Sequence, residues 1–178
     1  MKTKQHIILY LLALPWNLTI GWPMVLIVRA LWGENLAWES PPAPMAGGPV
    51  LTCSFRASSW PARTWYSKWG GTTAGHAIIY NAGEQTPGGW SHVQKHEHVH
   101  VEQFEGACVS GFILGLLAFV PVISLGHPEA AVGLWLGIWW AGYMLMGIGN
   151  WIAAWLRGED PYRGSAHEES AYSQAEQG

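Results

Sequence analysis

Apolar residues fall in three long blocks, separated by one extended polar stretch and one short turn. The first runs from about Ile7 to Trp32 and is interrupted by Pro15-Trp16-Asn17 and by Trp22-Pro23. It reads as one kinked transmembrane helix or as a hairpin dipping into one leaflet. Lys2 and Lys4 ahead of Ile7 to Leu14 also match a secretory signal, although no small-x-small cleavage site follows. The second block runs from about Ala107 to Leu125 and the third from about Ala130 to Leu156, each meeting the roughly 20 residues that cross a bilayer. Only Gly126-His127-Pro128-Glu129 joins them, so they form a tight helical hairpin. Gly111 with Gly115 and Gly133 with Gly137 have the GxxxG spacing that lets helix backbones approach closely in lipid, and such glycines are also ordinary membrane-helix composition.

The polar stretch from Gly33 to Glu105 changes character along its length. Its "ESPPAPMAGGP" is too rich in proline and glycine for regular helix or central strand. His76 to Tyr80 reads as a short strand ending in an Asn-Ala-Gly turn. After Pro87-Gly88-Gly89 a helix can start, with Ser91 as N-cap. In that register Trp90, Val93, Val101, Phe104 and Cys108 form an apolar stripe, while His96, His100 and Gln103 project from a neighbouring face. Read instead as a strand, the same residues would put His96, His98, His100 and Glu102 on one face. The helical parse is favoured, because membrane helix begins within a few residues of Glu105. The polar tail from Arg157 to Gly178 has helical composition, with Ser165 as a cap.

Composition sharpens the membrane reading. Of 178 residues 49% are hydrophobic and 12% charged, against about 25% charged in an average soluble domain. Thirteen tryptophans, many at the ends of apolar runs, suit interfacial aromatic belts. A net charge of -3 leaves no electrostatic footprint for nucleic acid. Cys53 and Cys108 make no disulfide framework and no CxxC pair. The chain therefore divides into an N-terminal membrane segment (1–32), a polar region (33–105), a transmembrane hairpin (106–156) and a polar tail (157–178).

Chemistry concentrates in "HEHVHVEQFE", His96 to Glu105. On a helix it contains HExxH, with His96 and His100 one turn apart and able to share a zinc ion. Glu97 does not ligate; it is placed to act as general base on the attacking water. A catalytic zinc needs a third protein ligand, and the downstream candidates are Glu102, Glu105, His127, Glu159, Asp160, His167, Glu168 and Glu169. Glu102 and Glu105 lie too near on the same helix to close a tetrahedron. His127 sits in the hairpin turn, across the membrane from the motif. Because two transmembrane helices return the chain to where it left, the tail lies on the same side as His96 and His100.

HExxH, a long hydrophobic hairpin and then Glu-x-x-Ala resemble the gluzincin zinc metallopeptidases, especially the small membrane-integral ones of the bacterial stress-induced and CAAX-processing type. The resemblance covers three short islands: "HAIIY", "HVHVEQFE" and "EESAY". It implies a mainly α membrane protein, with transmembrane helices plus a minimal zincin-like α+β catalytic region, and it implies Zn2+ with Glu168 as third ligand. Lys95 stands where such helices often carry an apolar residue, and Tyr172 replaces the usual aspartate. Tyr172 either orients a ligand histidine through a hydrogen bond or is an interfacial aromatic. Glu169 is the rival of Glu168, and only the family spacing separates them.

His98 points away from the ligand pair, and His76 and His92 read as surface or strand residues rather than ligands. The function expected is a membrane-anchored peptidase acting on peptide or membrane-protein substrates near the bilayer surface, bound as an added strand along His76 to Tyr80. The alternative is a non-enzymatic membrane protein that binds metal or keeps a degenerate zincin site. Arg29, Lys95, Arg157 and Arg163 gather on the side of the motif, and the positive-inside rule makes that side cytoplasmic. Physiological substrate and oligomeric state leave no mark in the sequence.

Overall fold

The computed structural model describes residues 2–41, 48–64, 70–81 and 91–177. The expected Asn-Ala-Gly turn beyond Asn81, Trp90 and most of the Pro/Gly-rich stretch lie outside the described residues. The chain is mostly helical, with one four-stranded sheet and three helices long and apolar enough to cross a membrane, Ile7–Leu31, His92–Ser124 and Pro128–Leu156. It forms two compact units, residues 1–102 with 170–178 and residues 103–169.

In the first unit, helix α1 (Lys2–Trp16) passes through a π-helical turn (Asn17–Gly21) into α2 (Trp22–Leu31). The backbone stays helical throughout, which replaces the re-entrant hairpin with one interrupted helix. The π turn sits between Pro15 and Pro23, each of which removes a backbone donor and forces local rearrangement. Its freed geometry is used: Asn17 is fully buried, its Nδ2 lies 2.9 Å from His76 Nδ1, and its Oδ1 accepts the His76 backbone N–H at 3.0 Å. Gly21 lies so close to the Ala74 carbonyl oxygen that a Cβ would meet it at 2.5 Å. His76, read as a surface or strand residue, is fully buried because this polar anchor and the Tyr10 ring, its centroid 4.1 Å away, enclose it.

Strands β1 (Gly33–Glu39), β2 (Val50–Phe55), β3 (Gly71–Thr73) and β4 (Ala77–Tyr80) form a sheet of order β1-β2-β4-β3, with a short helix α3 (Trp60–Arg63) between β2 and β3. β2 and β4 run parallel; the two outer pairings are antiparallel. Period-two alternation splits the side chains between two cores. Leu51, Cys53, Phe55, Ala77 and Ile79 pack with Val25 and Val28 of α2, whereas Val50, Ile78 and Tyr80 pack with Val101 of α4 (His92–Ser124). Helices thus cover both faces of the central strands. β4 is also flanked by β2 and β3, so a peptide cannot add along His76 to Tyr80 as expected; β3 is the edge next to it.

The second unit holds the rest of α4, α5 (Pro128–Leu156) and the start of α6 (Ala166–Gln177). α4 runs unbroken through the boundary at 105/106 that composition suggests. Its glycines dock it on α5: a Cβ at Gly115 would lie 2.8 Å from the Trp135 carbonyl oxygen, and one at Gly111 would lie 3.2 Å from that of Trp139. Phe112 meets the Trp135 and Trp139 rings edge-on at 5.4 and 5.3 Å. Gly133 and Gly137 have open space around them, so their equal spacing marks no contact here. After α5 the Arg157 guanidinium pairs with Glu159 at 2.6 Å, and Asp160 Oδ1 accepts the backbone N–H of Tyr162 and Arg163.

Candidate metal centre

The active segment of α4 begins with a reciprocal cap. Ser91 Oγ accepts the Gln94 N–H at 3.1 Å, while Gln94 Oε1 accepts the Ser91 N–H at 2.9 Å, so two otherwise orphaned donors are satisfied. From this start the helical period places Val101 and Phe104 in the buried stripe and turns His96 and His100 to one side. Their Nε2 atoms lie 3.1 Å apart. Helical rather than strand geometry thus holds across the motif.

Helix α6 begins at the other expected cap. Ser165 Oγ accepts the Glu168 N–H at 3.4 Å, and Gln103 Nε2 donates to the His167 carbonyl oxygen at 2.9 Å. These bonds fix the turn from which Glu168 projects. His96, His100 and Glu168 each offer one ligand atom, and the three atoms lie within 4.8 Å of one another. His96 and Glu168 are buried and His100 is half-buried, so the group can hold a metal ion. Donor chemistry fits zinc: bonds of about 2.0–2.1 Å in tetrahedral geometry put ligand atoms about 3.4 Å apart, close to the separation of the two imidazole nitrogens. Two imidazoles and one carboxylate are also a zinc donor set that leaves a fourth position.

Three of the rival candidates, Glu169, Glu159 and Asp160, have other surroundings. Glu169 is exposed where Glu168 is buried, a difference of one residue that turns the helix face by about 100°. Glu159 is held by Arg157, and Asp160 caps a turn. His98 is buried with Nδ1 3.0 Å from the Gln94 carbonyl oxygen, away from the ligand pair as its helical direction requires. His92 is exposed at the first helical position. The Tyr172 ring packs on His96 with centroids 4.5 Å apart and lies 6.3 Å from the His92 ring. It meets the His96 ring at a tilt of 50° and stays partly exposed.

Glu97 is buried, and its Oε2 accepts the Thr73 hydroxyl at 2.7 Å. Gly71 lies against the same carboxylate: a Cβ there would stand 2.8 Å from Oε1. Strand β3 therefore forms a wall beside Glu97. No sequence signal pointed to it, because three residues, Gly-Thr-Thr, carry no apolar alternation. Behind it, burial raises the Glu39 carboxyl above its usual range, against the opposing hydrogen bonds of Thr52 and Tyr80. Burial also pushes the Tyr80 phenol up, with the Glu39 and Glu97 carboxylates adding to the effect, so Tyr80 stays neutral. The Cys53 thiol is pushed up to about 11 by burial, in keeping with a packing residue rather than a thiolate ligand.

Comparison with known protein families, with curated proteins and with solved structures finds no match to this chain. The reading of the centre therefore rests on its own geometry.

Proposed function

We propose that this chain is a membrane-anchored, gluzincin-like zinc metallopeptidase that hydrolyses peptide bonds close to the membrane surface. The observation that carries the reading is the convergence of His96, His100 and Glu168, with a buried acid, Glu97, next to the first histidine. His96, His100 and Glu168 would hold the zinc, which would supply Lewis-acid polarisation of the scissile carbonyl and lower the pKa of the attacking water. Glu97 would take the proton of the attacking water as the water oxygen bonds to the carbonyl carbon. The same carboxyl then delivers the proton to the amide nitrogen as the C–N bond breaks, so one water is consumed per bond cleaved. A substrate segment in extended form adds along β3, the sheet edge beside Glu97. Arg29, Lys95, Arg157 and Arg163 favour a cytoplasmic active site by the positive-inside rule.

The test joins metal content to turnover. Wild-type protein in detergent or liposomes is expected to carry one zinc and to cleave an unfolded protein such as casein, with loss of activity under a chelator. His96→Ala should lose stoichiometric zinc. Glu97→Gln should keep the zinc and lose cleavage by about 10² to 10⁴-fold, the usual weight of a general base. Equal cleavage by wild type and Glu97→Gln would sink the peptidase reading. Zinc in both proteins with cleavage in neither, across a broad peptide library, would replace it with the non-enzymatic metal-binding alternative.

A further inference from the structure

A carboxylate beside a metal has two oxygens and a rotatable end, and only one oxygen at a time can face the reacting water. Glu97 sits on α4, yet its carboxylate is fixed by a different element. The Thr73 hydroxyl lies 2.7 Å from Oε2 and 3.1 Å from the Glu97 backbone oxygen. A hydroxyl has a single proton to donate, and a charged acceptor at the shorter distance is the stronger bond. Gly71, two residues earlier on β3, closes the other side. A Cβ at 71 would stand 2.7 Å from Glu97 Cγ and 2.8 Å from both Cδ and Oε1, distances at which the carboxylate must move. Alternation along a strand puts residues 71 and 73 on the same face, so one short strand supplies both the anchor and the gap.

We infer that Gly71 and Thr73 are positioning residues for Glu97: Thr73 holds Oε2, Gly71 keeps the space at Oε1 clear, and together they commit Oε1 to proton transfer. The inference rests on the peptidase reading for its catalytic consequence, while the seat itself is a property of the folded chain. It also explains why a polar Gly-Thr-Thr strand forms the sheet edge facing α4.

Two measurements on the full-length protein test this. In turnover, Thr73→Val should lower kcat by about 10- to 100-fold, the usual effect of losing an orienting partner, with KM and zinc content unchanged. Thr73→Ser should restore most of the rate, and Thr73→Val should cost nothing further in a Glu97→Gln background. Gly71→Ala should lower kcat in the same way. Thermal unfolding of the metal-free protein supplies the second readout: Gly71→Ala should lower the Tm in wild type but not in Glu97→Ala, where the side chain it displaces is gone. An active wild type with additive Tm effects, or with kcat untouched by both substitutions, overturns the inference and leaves the peptidase reading intact. Non-additive Tm effects with no cleavage by wild type keep the seat and overturn the peptidase reading and the proton-transfer role together.

Discussion

The two halves of α4 obey opposite burial rules. From His96 to Cys108 the buried residues include His96, Glu97, His98 and Glu105, polar groups that water would normally claim. From Ile113 to Ile123 the exposed large apolar residues are Ile113, Leu114, Leu116, Leu117, Val120 and Ile123. One continuous helix thus hides its polar residues at one end and displays its apolar ones at the other. Burying a charged or polar group is costly unless it is bonded or bound, so the first half must offer compensation. Thr73 on Glu97 and the joint His96–His100–Glu168 group are that compensation. Exposing a run of aliphatic side chains is likewise costly in water and costs nothing in hydrocarbon. The first half can hold a metal ion, and the second is apolar enough to face lipid.

The largest expected effect comes from forcing the second half to obey the rule of the first. Leu117 is 65% exposed in the middle of the apolar stretch. Leu117→Arg should weaken membrane insertion by about 2.5 to 3.5 kcal/mol, the range for arginine at the centre of a spanning helix. Glycosylation-tag reporters after α5 would measure the inserted fraction. Arginine at Gly106, where there is open space and the polar half ends, should insert nearly as well as wild type. Equal insertion for Leu117→Arg and Gly106→Arg would mean that residues 113–123 do not face hydrocarbon.

A smaller effect separates the two glycine pairs. Gly115→Val places a branched side chain against the Trp135 backbone, which cannot swing away, and should cost about 1 to 3 kcal/mol as overpacking. Gly137→Val meets nothing and should stay within about 0.5 kcal/mol of wild type. Unfolding of both variants in detergent gives the ranking, and the reverse order would put a different face of α5 against α4.

How much of this was legible in the chain depends on which physical signal each element carries. The hairpin and the helical reading of HExxH were legible, because apolar run length and the Ser91 and Ser165 caps are local in sequence. β4 was legible from its apolar run. β2 was not: "VLTCSF" is buried on both faces, by α2 and by α4, and small polar residues there look like a loop. β1 was hidden for the opposite reason, since most of its residues are exposed and no period survives. GxxxG spacing identified two pairs but not which one faces a partner, because a spacing has no direction. At the candidate metal centre His96 and His100 followed from the motif and Glu168 from the family resemblance, whereas Gly71 and Thr73 could not be foreseen, being about 25 residues from Glu97 and joined to it only by the sheet.

The smallest expected effect tests whether the two halves of α4 are also separate in stability. The Ser91–Gln94 cap acts only on the first turn, and replacing a serine N-cap by alanine typically costs about 1 kcal/mol. Ser91→Ala should therefore speed amide exchange near residues 93–97 by about 5-fold, since an added opening free energy of that size shifts the local equilibrium in proportion. Zinc affinity should fall by no more than the same factor, because His96 is the only one of the three proposed ligands within the frayed segment. Amides at 113–123 should not change, as their packing on α5 does not involve the cap. Exchange that accelerates uniformly from 93 to 123 would show one cooperative helix, and the division between a ligand-organised half and a lipid-organised half would then describe burial without describing stability.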